Sequence, residues 1–62
     1  MEKPVCKLVG TDGNVFSIIG KVVQSLRRAG QADKAKEFSD KAMNAGSYSD
    51  VLAMTFDYVK VE

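Results

Sequence analysis

Apolar and polar positions divide the chain into five segments. Val5-Cys6-Lys7-Leu8-Val9 is short, rich in β-branched residues and bounded by Pro4 and Gly10, which predicts a strand over 5–9. Its apolar residues fall on both parities, as on a strand covered on both faces or meeting another subunit on one. Gly10-Thr11-Asp12-Gly13-Asn14 supplies positions that tolerate positive φ, and Asn14 suits a helix N-cap. Val15, Ile19, Val22, Leu26 and Ala29 then repeat at alternating spacings of four and three, which predicts a helix over 14–29. Phe16, Ile18 and Val23 widen that stripe. Gly20 lowers helix stability by about 1 kcal/mol relative to alanine, and close approach of another backbone would explain its presence. Gly30 is the expected C-terminal glycine.

A second helix is predicted over 32–45. Its apolar stripe is thin, Ala35, Phe38 and Ala42, and Glu37 and Lys41 form an i,i+4 pair in the favourable order. Gly46 is expected to stop it. Ser47-Tyr48-Ser49-Asp50 has the form of a capping box and opens a third helix over 48–58. The alternation in Tyr58-Val59-Lys60-Val61-Glu62 predicts a terminal strand over 58–62. The expected fold class is α+β, mainly helical, in the order β-α-α-α-β, as one domain over 1–62.

Short connections make sequential helices antiparallel. The N-termini of the first and third helices, at Asn14 and Ser47, should then share one end of the molecule. The two strands should run parallel if they pair within one chain; the alternative is pairing across a dimer. Two strands alone make a weak sheet. A chain of 62 residues buries only about 60% of its unfolded surface. With one cysteine and no histidine there is neither a disulfide framework nor the commonest metal ligand to staple it. Completion of the sheet and core in a homo-oligomer, dimer or higher, is the expectation.

Charge narrows the partners. Nine basic and eight acidic side chains give a net charge of +1, too balanced for a non-specific nucleic-acid binder or a membrane-surface helix. A helix-turn-helix reading meets Asp33, Glu37 and Asp40 on the would-be recognition helix. Glu2, Lys3 and Pro4 lead into only a short apolar stretch, unlike a secretory leader, and a single thiol fits a cytoplasmic protein. The lack of histidine removes the usual acid-base catalyst, and no carboxylate is placed beside a base, so the chain is not expected to be an enzyme or to need a cofactor.

Candidate chemistry lies at the helix starts. Backbone N–H groups at a helix N-terminus attract anions, which makes Thr11, Asp12, Gly13, Asn14, Phe16, Ser47 and Tyr48 the candidate ligand-binding residues. The alternative for the glycine loop is a tight strand-to-helix turn: it lacks both the P-loop and the dinucleotide fingerprint, and Asp12 brings a negative charge. Tyr48 can stack on a base or anchor the helix start. Arg27 and Arg28 can bind phosphate or complement the dipole at the end of the first helix. They lie at the opposite end from the glycine loop, so they would reach a ligand there only from a second subunit. Cys6, Phe38, Phe56 and the methionines are expected in the core, and Phe16 by its spacing as well.

The segment Leu8-Val9-Gly10-Thr11-Asp12-Gly13-Asn14-Val15-Phe16-Ser17-Ile18-Ile19-Gly20 resembles small uncharacterised proteins of bacteriophages and other bacterial mobile elements. The likeness continues through Ala29-Gly30, Gly46-Ser47-Tyr48 with Asp50, and a Val/Glu-rich end, and its specific part is Gly-Thr-Asp-Gly-Asn-x-Phe. It implies a phage or prophage protein inside a bacterial cell, a setting where small proteins often counter host defence. The resulting expectation is a non-enzymatic homo-oligomer that sequesters a nucleotide-type signalling molecule. The alternatives are an inhibitor that binds a host defence protein and, third, a nucleic-acid-binding accessory factor.

Overall fold

The computed structural model describes residues 3–8 and 14–62. Its elements follow in the order β1 (Val5–Cys6), α1 (Val15–Arg28), α2 (Ala32–Met43), α3 (Tyr48–Tyr58) and β2 (Lys60–Val61). The α+β, mainly helical order read from the sequence is the order observed. Of the 5–9 segment, Val9 lies outside the described residues.

Each boundary has a local cause. Asn14 caps α1 from extended backbone, its side chain accepting from the Phe16 N–H at 2.8 Å. At the other end Gly30 adopts φ +78°. The Gly30 N–H bonds to the Arg27 carbonyl and the Gln31 N–H to that of Leu26, which is the Schellman arrangement. Helix α2 closes at Met43, before Gly46 is reached. The Asn44 side-chain amide donates to the Asp40 carbonyl at 2.8 Å, and the Asn44 and Ala45 N–H groups tighten the last turn by bonding three residues back. Ser47 caps α3 by accepting from the Asp50 N–H at 3.3 Å. No glycine ends α3. Val59 donates its N–H to Thr55, turns to extended backbone at φ −139° and ψ 162°, and buries its side chain.

That turn lets the chain's two ends meet. β1 and β2 pair in parallel within the chain, Val5 opposite Lys60 and Cys6 opposite Val61. The Lys60 N–H donates to the Pro4 carbonyl, the Glu62 N–H to that of Cys6, and the Leu8 N–H to that of Glu62. A parallel pair needs a long crossover, and here three helices supply it.

The core lies between the helices and the inner face of the strands. Ile18, Ile19, Val22 and Leu26 of α1 meet Ala35, Phe38 and Ala42 of α2, with Val51 of α3 and Cys6 and Val59 from the strand ends. Two alanines on α2 allow α1 to approach closely, and Phe38 fills the centre. Among the described residues Thr55 is the buried polar side chain; its hydroxyl donates to the Val51 carbonyl at 2.9 Å, and no buried side-chain polar atom of these residues lacks a partner.

The aromatic and methionine expectation needs correction. Phe38 is core, but Phe16 is 65% exposed, Phe56 59% and Met43 65%. Phe16 stands a quarter-turn off the Ile19–Leu26 stripe, and the thin stripe of α2 leaves Met43 beyond the edge of the core. No close approach at Gly20 is present among the described residues: it is exposed, and a Cβ placed there would meet none of them within 4 Å.

Candidate functional site

Two grooves hold four of the candidate residues, Phe16, Ser47 and Tyr48 in one and Arg28 in the other. The first opens where α1 and α3 begin. It has a volume of about 210 Å³, with Phe16, Ser47 and Tyr48 on its wall and Val15, Ile19 and Val51 among its apolar lining. The predicted convergence of the two helix starts is therefore present. Asn14 stands at the α1 cap beside this groove rather than in its lining. Thr11, Asp12 and Gly13, the other candidates in the glycine loop, lie outside the described residues.

The first turn of a helix carries N–H donors without intrahelical acceptors. Asn14 and Ser47 each satisfy one of them. A Cβ built on Gly46 would stand 3.5 Å from Asp50 Oδ2, so the start of α3 already holds a carboxylate of its own. No lysine or arginine lines this groove. Its strongest features are instead two rings: Phe16 and Tyr48, the latter 43% exposed, beside an apolar floor. Such a surface takes a flat, weakly polar group such as a nucleobase by stacking, while the helix starts supply hydrogen-bond donors.

The second groove lies between β1 and the C-terminal half of α1. It has a volume of about 300 Å³ and is lined by Arg28, Lys21 and Lys7, with Gln24, Ser25 and the edge of Cys6. Of the arginine pair only Arg28 belongs to it; Arg27, its neighbour, is exposed and lines neither groove. Phe16 and Arg28 are twelve residues apart on α1, about 18 Å along the axis, so the two candidate sets stay apart within one chain. Lys7 and Lys21 were not anticipated. The signal was present in the spacing of Lys21, Gln24, Ser25 and Arg28, which puts four polar side chains on one face of α1.

A polar cluster joins α2 to α3. The Tyr58 hydroxyl donates to Glu37 Oε2, the ring packs edge-on against Phe38 with centroids 5.3 Å apart, and Lys41 Nζ lies 5.8 Å from the Tyr58 centroid. The bond from Tyr58, helped by nearby Lys34, holds the Glu37 carboxyl below its ordinary pKa. Burial, then the Glu37 bond, raises that of Tyr58, and contact with Tyr58 raises that of Lys41. The Tyr58 ring packs on Phe38 while Glu37 and Lys41 stay exposed, so the cluster reads as a contact that ties α3 to the surface of α2.

Among the described residues no three of His, Cys, Asp or Glu gather as a metal site, and no helix is long and apolar enough to cross a membrane. Comparison of the chain with protein-family models, with curated proteins and with solved structures returns no match.

Proposed function

We propose that this is a small non-enzymatic binding protein of phage type, acting as a homo-oligomer in the cytoplasm of a host bacterium, that counteracts host defence by sequestering a nucleotide-type signalling molecule. The observation that carries this reading is the groove at the starts of α1 and α3, with the rings of Phe16 and Tyr48 exposed on its wall. A base stacks there and its sugar or phosphate faces helix-start N–H groups. Sequestration requires only tight binding, which suits a chain without histidine. The phage setting rests on the resemblance of the Gly10–Phe16 segment. Native mass spectrometry of protein purified from phage-infected cells, then of the released small molecule, is the direct test. A nucleotide-sized mass carried by wild type and lost from Phe16→Ala and Tyr48→Ala is expected. Full retention of the mass in both folded variants would overturn the site.

A second reading draws on the same rings. Phe16, Met43 and Tyr48 leave a sizeable apolar surface outside the core, and such surfaces also dock proteins. An inhibitor of a host defence protein would be purified with one stoichiometric host chain and no small molecule. A nucleic-acid-binding role comes last, because the net charge is only +1.

A further inference from the structure

We infer that the groove between β1 and α1 is a phosphate-binding site, formed by Lys7, Lys21 and Arg28 with Gln24 and Ser25, for a small phosphorylated ligand. It is a different groove from the one proposed to take a base, and its argument does not depend on that assignment.

Three cations line one cavity of about 300 Å³. No carboxylate lines it, and none of the three has an ion-pair or hydrogen-bond partner among the described residues; the ion pair found there, Lys34 with Glu37 at 3.9 Å, lies on α2. In a chain with nine basic and eight acidic side chains, such a concentration is not the result of overall excess charge. Like charges held together repel, so the arrangement gains stability when an anion enters. The dipole of α1 accounts for a cation at Arg28, its last residue. It does not account for Lys21 two turns earlier or for Lys7 beside β1.

The groove's walls favour a small ligand. Lys21 and Arg28 of α1 line the groove together with Val5 and the buried Cys6 of β1. Arg28 presents a planar fork suited to two phosphate oxygens, and the lysines act as point charges. Gln24 and Ser25 add neutral donors on the same face of α1. The volume is at the lower end for ligand pockets, and three cations with two neutral donors suit a phosphate or diphosphate group.

Inorganic pyrophosphate is the probe, with amide chemical shifts as the readout. Pyrophosphate is expected to move the resonances of Lys7, Lys21, Gln24, Ser25 and Arg28, with affinity falling as salt rises. Lys21→Gln and Arg28→Gln should each weaken binding about 10- to 100-fold. Lys36→Gln on exposed α2 should leave it unchanged. Circular dichroism checks that the variants fold, which surface substitutions of this kind permit. Shifts spread equally over the lysines of α2, or affinity untouched by Lys21→Gln and Arg28→Gln, would overturn the site. Tighter binding per phosphate to a dodecathymidylate than to pyrophosphate would overturn the small-ligand assignment and make the groove a nucleic-acid contact. Adenosine, which has no phosphate, reports on the Phe16–Tyr48 groove alone. Its failure to bind would count against the proposed function and leave the phosphate site standing.

Discussion

A single hydroxyl, that of Tyr58, bears on the titration of two neighbours, lowering the pKa of Glu37 and raising that of Lys41. It donates to Glu37 while its ring packs on Phe38. A carboxyl whose folded pKa is depressed stabilises the fold above its unfolded pKa, and that contribution is lost as pH falls through the folded value. For Glu37 the loss therefore comes on the acid side of the ordinary carboxylate range. Tyr58 and Lys41 are raised, so their contributions are present at neutral pH and are lost only as pH climbs through their folded values, above about 10. Tyr58→Phe keeps the ring and removes the donor. In a carboxyl-detected NMR titration the Glu37 midpoint should lie below the ordinary glutamate value in the wild type and rise toward it in Tyr58→Phe. A midpoint that does not move would mean that Lys34, and not the hydroxyl, holds Glu37 down.

At the scale of elements, Gly20 offers the clearest test. It sits mid-helix on α1, exposed, with none of the described residues near a prospective Cβ. Gly20→Ala should therefore stabilise the isolated chain by about 0.5–1 kcal/mol. On a domain this small that is a rise in Tm of about 2–8 °C, measured by thermal circular dichroism in dilute solution. A fall would show that a second chain's backbone packs against Gly20, the close approach that a mid-helix glycine suggests. The same helix shows how far sequence reached. Its start at Asn14, its end at Gly30 and its buried Ile19-Val22-Leu26 face follow from short-range rules of capping and period, and α3 follows from Ser47 and Asp50. The end of α2 did not, because Asn44 folds its side chain back onto Asp40 and closes the helix before the more obvious Gly46. Nor did the fate of Phe16. Period alone cannot say how wide a strip the neighbouring helix covers, and α2 offers alanines too small to reach it. The cationic groove needed the strand in place. Lys7 and Lys21 are fourteen residues apart in sequence, and it takes the burial of Cys6 and the pairing of β1 with β2 to set β1 beside α1.

The whole molecule has little to spare. Its accessible surface is 4163 Å², against about 9,700 Å² for an unfolded chain of this mass, so about 57% is buried. With extents of 27 × 25 × 15 Å, every helix has one side facing solvent. At about 0.05–0.15 kcal/mol per residue, total stability falls near 3–9 kcal/mol. Val5, Phe16, Met43, Tyr48 and Phe56 are still exposed after folding, and a partner copy that covered some of them would add to this small total. The homo-oligomer in the proposed function thus makes a thermodynamic prediction. Where unfolding separates two chains, a hundredfold rise in concentration adds about 1.4 kcal/mol per chain, since RT ln 100 is about 2.7 kcal/mol shared by two. Tm should climb by roughly 5–10 °C over that range, and sedimentation should report a multiple of 6.7 kDa. Replacing Phe16 and Met43 together by serine removes exposed apolar surface without touching the buried core. If those side chains form the contact, the double variant should sediment as a monomer and its Tm should stop depending on concentration. A wild-type Tm that is flat across the range, with a monomer in the centrifuge, would remove the shared site and leave each groove to bind its ligand from one chain.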